Sequence, residues 1–214
     1  MPIVVQKYGG TSVANIERIR NVAKRVAGTY DAGSAVVVVI SAMSGVTDKL
    51  IGMASEISQR PDRRELDVLL ATGEQTTAAL LAMTLQSMDY PAQSLLGHQA
   101  KVRTDCSYGN ARILDIRTSR IKELVEQKNI VVVAGFQGCD INGNITTLGR
   151  GGSDTSAVAI AAALKADTCE IYTDVDGVYT ADPNVCPKAR KLKTVSYDEM
   201  LNMASLGAKV LQIR

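Results

Sequence analysis

Two stretches concentrate the residue types that handle anions. The first, Lys7-Tyr8-Gly9-Gly10-Thr11-Ser12, sets a cation and hydroxyls around a glycine pair. Glycine lets a backbone approach a ligand closely, and a helix start presents free N–H groups to an anion. Gly9-Gly10 alone would read as a tight turn; with the lysine, threonine and serine beside it, the reading is an anion site. The second stretch, Thr147 to Ser156, places three glycines, Arg150, several hydroxyls and Asp154 just before a helix. That density exceeds what folding requires, although Ser153 or Asp154 would also serve as a helix cap. A third cluster, Thr173 to Asn184, is rich in turn formers and by itself is a loop. Neither G-x-x-x-x-G-K-[ST] nor G-x-G-x-x-G is present, which disfavours a P-loop enzyme or a standard dinucleotide-binding domain.

Short β-branched runs alternate with longer segments of helical period, the pattern of a largely parallel sheet with helices on both faces. Strands are predicted at Ile3 to Lys7, Ala35 to Ile40, Pro91 to Leu96, Ile130 to Ala134 and Cys169 to Thr173. The first helix buries Ile16, Ile19, Ala23 and Val26, with Gly28 and Gly33 bracketing its exit. Further helices are expected at Asp48 to Ser58, Glu65 to about Met88 (interrupted or closely packed at Gly73), Ile113 to Gln127 and Thr155 to Leu164. Asn142-Gly143 reads as a hairpin turn with arms Asp140-Ile141 and Asn144 to Thr147. In such sheets ligands collect at the strand ends that lead into helices, where the first two stretches lie.

With 214 residues, 46% of them hydrophobic, the chain can bury a full core without staples, and one α/β domain is the economical reading. A net charge of +2 excludes a dedicated nucleic-acid binder and leaves small molecules as partners. The four cysteines, Cys106, Cys139, Cys169 and Cys186, show neither C-x-x-C pairing nor metal-ligand spacing, so reduced thiols in a cytoplasmic protein are expected. No secretory leader is evident at the N-terminus, and the longest apolar runs are strand-length, which leaves no membrane partner. His98, the single histidine, receives no catalytic role.

Several motifs in order resemble one family. VVQKYGGTSV at Val4 to Val13, TLGRGGSD at Thr147 to Asp154 and YTDVDGVYTADPN at Tyr172 to Asn184 look like aspartokinases. Ser41-Ala42-Met43-Ser44, Thr72-Gly73-Glu74 and Gly207-Ala208-Lys209-Val210 fit the same order. The resemblance covers essentially the whole chain. It implies the amino-acid-kinase fold, a three-layer α/β/α sandwich with a largely parallel central sheet, with residues 1–214 as the catalytic domain. It also implies transfer of the ATP γ-phosphoryl group to the side-chain carboxylate of L-aspartate, giving 4-phospho-L-aspartate on the way to lysine, threonine and methionine. Aspartokinases generally continue into a pair of regulatory ACT modules, whereas this sequence stops at Leu211-Gln212-Ile213-Arg214. Feedback inhibition is therefore expected to be absent, and a homodimer built through those modules is in doubt.

A carboxylate nucleophile is already ionised at neutral pH and needs no general base, so the chemistry asks for positioning and charge neutralisation. On the resemblance, Lys7 neutralises the transferring phosphoryl beside the N–H groups of Gly9 and Gly10, with Thr11 and Ser12 supporting the loop. Asp154 organises that lysine. Arg150 suits a substrate carboxylate and Glu74 the ammonium, while Ser41, Thr47 and Ser153 supply further hydrogen bonds. A surface-facing Glu74 is the competing reading. The resemblance also carries Thr173, Asp174, Tyr179, Asp182 and Lys209 onto the ATP pocket. Mg²⁺ is expected to be held by the phosphates and water, with no protein ligand named. The rival readings are a family member with another acceptor, and a nucleotide-binding regulatory subunit without turnover.

Overall fold

A computed structural model describes residues 1–175, 177–181, 185–186 and 188–205. They fall into two compact units, Met1–Tyr172 and Thr173–Arg214.

In the first unit the elements run β1 (Ile3–Tyr8), a short 3₁₀ turn (Gly10–Val13), α1 (Ile16–Asp31), β2 (Ala35–Ile40), α2 (Val46–Ile57), α3 (Arg63–Gln86), β3 (Ala92–Leu95), β4 (Val102–Thr104) and β5 (Ile113–Ile116). Then follow α4 (Ser119–Glu126), β6 (Ile130–Ala134), β7 (Gln137–Cys139), β8 (Ile145–Thr147), α5 (Gly152–Leu164) and β9 (Thr168–Tyr172). The main sheet has the order β3-β6-β2-β1-β9, and every pairing in it is parallel. A smaller mixed sheet, β5-β4-β7-β8, was not expected from the sequence.

The apolar run of β2 is buried along its whole length because both of its faces are covered. Val36, Val38 and Ile40 join Ile19, Val22 and Val26 of α1 and Leu81 and Leu85 of α3 in one core. Val37 and Val39 join Ile121 and Leu124 of α4 and Ile160 and Leu164 of α5 in the other. Strand alternation thus builds a helical layer on each side of the parallel sheet, the α/β/α sandwich expected.

Several local expectations are corrected. Ile113 to Ile116 form β5 rather than the first turn of a helix; α4 starts only at Ser119. Ile16 opens α1 but is exposed, and the helix runs through Gly28 to Asp31 before Gly33 turns the chain at φ +89°. The hairpin is present, but its first arm is β7 at Gln137–Cys139 and not Asp140-Ile141, which belong to the turn, where Asp140 Oδ1 accepts from the N–H of Asn142 and Asn144. α3 is not interrupted at Gly73: a Cβ there would lie 2.9 Å from the Ala42 Cβ, so glycine allows α3 to pack against the loop after β2. By length and composition α3 could cross a membrane, but half of its most apolar window is buried in the fold, and Asp67 and Glu74 are among its buried residues. It is a core helix.

Among its described residues the second unit carries a backbone bridge between Tyr179 and Lys191 and one helix, α6 (Tyr197–Ser205). All four cysteines are free.

Candidate active site

Because the main sheet is parallel, β1, β2 and β6 deliver their C-terminal ends to the same edge, and α5 starts beside them. A cleft of about 250 Å³ opens there. Its lining brings together Lys7 of β1 with Gly9 and Gly10 after it, Ser41 and Thr47 after β2, Glu74 of α3, and Arg150, Ser153 and Asp154 around the start of α5. Residues 147 positions apart in sequence therefore share one pocket.

Lys7, on β1, is 6% exposed, and its Nζ lies 2.7 Å from Asp154 Oδ1. Asp154 sits in the first turn of α5 because the helix begins at Gly152, earlier than the sequence suggested. The capping role open to Ser153 or Asp154 falls away: Gly151 occupies the cap at φ +74°, and no side chain bonds to the free N–H groups there. A carboxylate freed from capping in the positive end of a helix can orient a buried lysine.

The glycine pair divides its work. Gly9 donates its N–H to the Tyr172 carbonyl at 3.2 Å, so this amide joins β1 to β9 and is not free for an anion, contrary to expectation. At Gly10 a Cβ would come 2.8 Å from the Ala42 carbonyl oxygen, and the Gly10 carbonyl accepts from Ser44 N–H. Only glycine lets the loops after β1 and β2 meet this closely. Ser12 N–H closes the turn onto the Gly9 carbonyl, and Arg18 donates to the Thr11 carbonyl, so Thr11 and Ser12 do brace the loop.

Glu74 is 4% exposed, which removes the surface-facing reading. Its Oε1 accepts from Ala42 N–H at 3.0 Å, while its Oε2 is buried with no hydrogen-bond partner. Burial pushes its carboxyl up from 4.5 to about 7, against the smaller opposing effect of the Ala42 bond. Glu74 lines the cleft, and a lone buried carboxylate oxygen there fits a cationic ligand group. Arg150 is exposed between Gly149 and Gly151, both at positive φ, so its guanidinium rides on a loop that L side chains would strain. Ser41 N–H donates to the Tyr8 carbonyl, tying the loop after β2 to β1, and Thr47 stands in the first turn of α2 behind Gly45, at φ +78°. Ser153 is packed so closely that a Cβ on Gly135 would lie 2.9 Å from its Oγ.

Sequence reasoning missed Phe136. It lines the cleft at φ +66°, an unusual conformation for an aromatic residue, held by its N–H to Ser156 Oγ and its carbonyl to Leu148 N–H. The available signal was its place just past the apolar run of β6, at a ligand-collecting strand end. His98 is exposed and takes no part. In the second unit, Thr173 Oγ1 donates to Asp174 Oδ1, and Tyr179 forms the bridge with Lys191. Asp182 and Lys209 lie outside the described residues. Among the described residues, no three His, Cys, Asp or Glu side chains converge as a metal-binding group.

Known proteins with this arrangement are informative. The chain is 58% identical over 214 residues to an aspartokinase of Pseudomonas aeruginosa, covering 100% of this chain and 52% of that one. It superposes on a Synechocystis aspartate kinase with a TM-score of 0.86 at 51% identity, covering 99% of this chain and 34% of the other. Escherichia coli aspartokinase III, in complex with aspartate and ADP, gives a TM-score of 0.87 at 28% identity, with 99% of this chain and 58% of that one covered. The chain spans about half the length of the curated relatives it matches. The sequence model of the amino acid kinase family matches residues 2–213, so this chain belongs to the amino acid kinase family.

Proposed function

We propose that residues 1–214 form the catalytic domain of an aspartate kinase, which transfers the γ-phosphoryl group of ATP to the side-chain carboxylate of L-aspartate. The reading is carried by one observation: a buried lysine paired with a half-buried aspartate shares a cleft with an arginine and a carboxylate that has an unpartnered oxygen. An acceptor amino acid offers a carboxylate to Arg150 and an ammonium to Glu74, and presents its second carboxylate as the nucleophile. The similarity to aspartokinases over the whole chain supports aspartate as the acceptor.

In the transfer, an aspartate carboxylate oxygen forms a bond to the γ-phosphorus as the bond to the β–γ bridging oxygen breaks, releasing ADP and 4-phospho-L-aspartate. No proton has to be removed from the nucleophile. What must be overcome is repulsion between anions, and Lys7 supplies a fixed positive charge that Asp154 holds in place. Ser41, Thr47 and Ser153 are assigned to the acceptor, which shares their cleft. Gly10 lends the loop its close approach. Assignment of Thr173, Asp174, Tyr179, Asp182 and Lys209 to the nucleotide rests on their motifs.

The described carboxylates of the cleft do not make a cation cage, since Asp154 is committed to Lys7 and Glu74 Oε1 to Ala42. Mg²⁺ is assigned to the nucleotide phosphates and enters as part of the substrate, where it neutralises phosphate charge. The free thiols support a reducing, cytoplasmic setting. The test is ATP- and Mg²⁺-dependent acyl-phosphate formation, trapped with hydroxylamine, from L-aspartate, L-glutamate and no amino acid. Aspartate-selective hydroxamate is expected. Selective product from glutamate, or ATP binding without any product, would overturn the assignment.

A further inference from the structure

α3 buries a second carboxylate that the proposed reaction does not use. Asp67 is 0% exposed and stands seven residues before Glu74, which puts both acids on one side of α3, two turns and roughly 10 Å apart. Asp67 has no basic partner among the described residues, yet it is well satisfied: Oδ2 accepts from Thr147 N–H at 2.7 Å and from Gly109 N–H at 3.0 Å, and Oδ1 accepts from Thr147 Oγ1 at 2.8 Å. Thr147 is the last residue of β8, three positions before Arg150. Gln137 of β7 adds a further tie, donating to the Ala71 carbonyl and accepting from Gln75, both on α3.

We propose that Asp67 is a positioning residue that fixes the loop bearing Arg150 at a set distance from Glu74, and so holds the α-carboxylate and ammonium of the acceptor in one place. The proposal rests on the aspartate kinase reading above. α3 acts as a common ruler: Glu74 is built into it, and Asp67 clamps the end of β8 to it. Arg150 lies between glycines at positive φ, in a short loop tied at one end to Phe136 through Leu148 N–H and continuing at the other into α5. The preceding strand end is the anchor that α3 supplies, and two of the three bonds to Asp67 come from Thr147. Aspartate and glutamate share the end held by Arg150 and Glu74 and differ by one methylene between that end and the nucleophilic carboxylate, so holding the shared end in place sets how each side chain reaches the transferring phosphoryl.

Asp67→Asn keeps the shape, but an amide can accept at only one of its two positions and lacks the charge that strengthens all three bonds. Thr147→Val removes one bond and leaves the backbone one in place. In hydroxylamine-trapping assays on the whole chain, Asp67→Asn should raise the aspartate KM roughly tenfold, and Thr147→Val about threefold. The ATP KM should move less than about twofold in both, because a displaced Arg150 loop acts on the acceptor. The aspartate-to-glutamate preference should narrow in step with the aspartate KM. In an Arg150→Ala background, Asp67→Asn should add nothing further to the aspartate KM, since the effect runs through that loop.

An unchanged aspartate KM in a folded Asp67→Asn protein would overturn the proposal. So would an equal rise in the ATP KM, or a full multiplicative effect on top of Arg150→Ala. If Asp67→Asn does not fold, Thr147→Val decides by the same criteria. Absence of aspartate hydroxamate from the unsubstituted chain would remove the aspartate kinase reading and this proposal together. Normal activity with an unmoved KM would remove the positioning role alone.

Discussion

The two carboxylates buried on α3 occupy one side of one helix and are partnered in opposite ways. Asp67 accepts three hydrogen bonds, from Gly109 and Thr147. Glu74 accepts one at Oε1, from Ala42, and keeps a buried Oε2 without a partner. A buried charge costs stability unless its hydrogen-bonding capacity is filled. Asp67 meets that condition within the protein and works as a fastener. Glu74 does not, and a cationic group from outside would complete it. The difference separates an acid that holds the site together from an acid that receives a ligand, a distinction that residue type and helix position do not make.

The largest expected effect comes from turning a satisfied acid into an unsatisfied one. Lys7→Ala would leave Asp154 without its 2.7 Å partner, a second stranded carboxylate in the same cleft, and would remove the fixed positive charge at the transferring phosphoryl. Turnover should fall roughly 10³-fold or more with the fold retained, by analogy with the loss of other single charge-stabilising groups in phosphoryl transfer. Steady-state kinetics with circular dichroism on the same sample checks both halves. Near-normal turnover would detach the pair from the chemistry.

Next is the fastener itself. Asp67→Ala strands two buried backbone N–H groups and the Thr147 hydroxyl. Such donors cost about 1–3 kcal/mol each when left unpaired, so a loss on the order of 3 kcal/mol or more is expected. In urea titration this appears as a lower midpoint at unchanged slope. The same truncation at Glu74 strands only Ala42 N–H while removing a buried charge, and should change stability by less than about 1 kcal/mol. Equal losses at the two positions would erase the comparison.

The contrast also shows what a sequence carries. β2 and β6 lie where their apolar runs placed them because strands covered on both faces need no other signal. Most of the cleft was visible as well, since Lys7, Arg150 and Asp154 stand beside glycines at strand and helix ends. β5 was misread because Ile113-Leu114-Asp115-Ile116 is too short for the two periods to differ, and its partner β4 decides the matter through tertiary pairing. Asp67 went unnoticed because its donors come from residues 42 and 80 positions away, and no local pattern announces them. Gly9 was assigned to the ligand because sequence cannot show that its amide is already used by Tyr172. Phe136 was missed because its left-handed backbone is imposed by Ser156 and Leu148, not by its own preference.

Glu74→Gln tests the receiving acid. The amide fits the same space and can still accept from Ala42 N–H, so the protein should fold as before. It cannot attract an ammonium as a carboxylate does, and loss of a charge-assisted hydrogen bond should raise the aspartate KM between about 10- and 100-fold. The ATP KM should stay near its starting value. An unchanged aspartate KM would take Glu74 out of the acceptor site.

The smallest and most specific expectation concerns pH. Without ligand, burial holds the Glu74 carboxyl at about 7 instead of 4.5, so the folded protein keeps a proton there that the unfolded chain releases. Between those two values the folded state binds more protons than the unfolded one. The Glu74 contribution to stability is therefore full below the lower value and declines as pH rises through the upper one. An ammonium ligand prefers the ionised form, so acceptor binding runs the other way and weakens as pH falls below 7. With the ionised form as the competent state, going from about pH 8 to about pH 6 should raise the aspartate KM roughly tenfold, in proportion to the ionised fraction. Glu74→Gln should flatten both profiles at once: the aspartate KM against pH, and the urea midpoint between about pH 4.5 and pH 7. If the KM profile of Glu74→Gln retains its slope, the titrating group is another one, and the unpartnered oxygen of Glu74 is not where the acceptor ammonium binds.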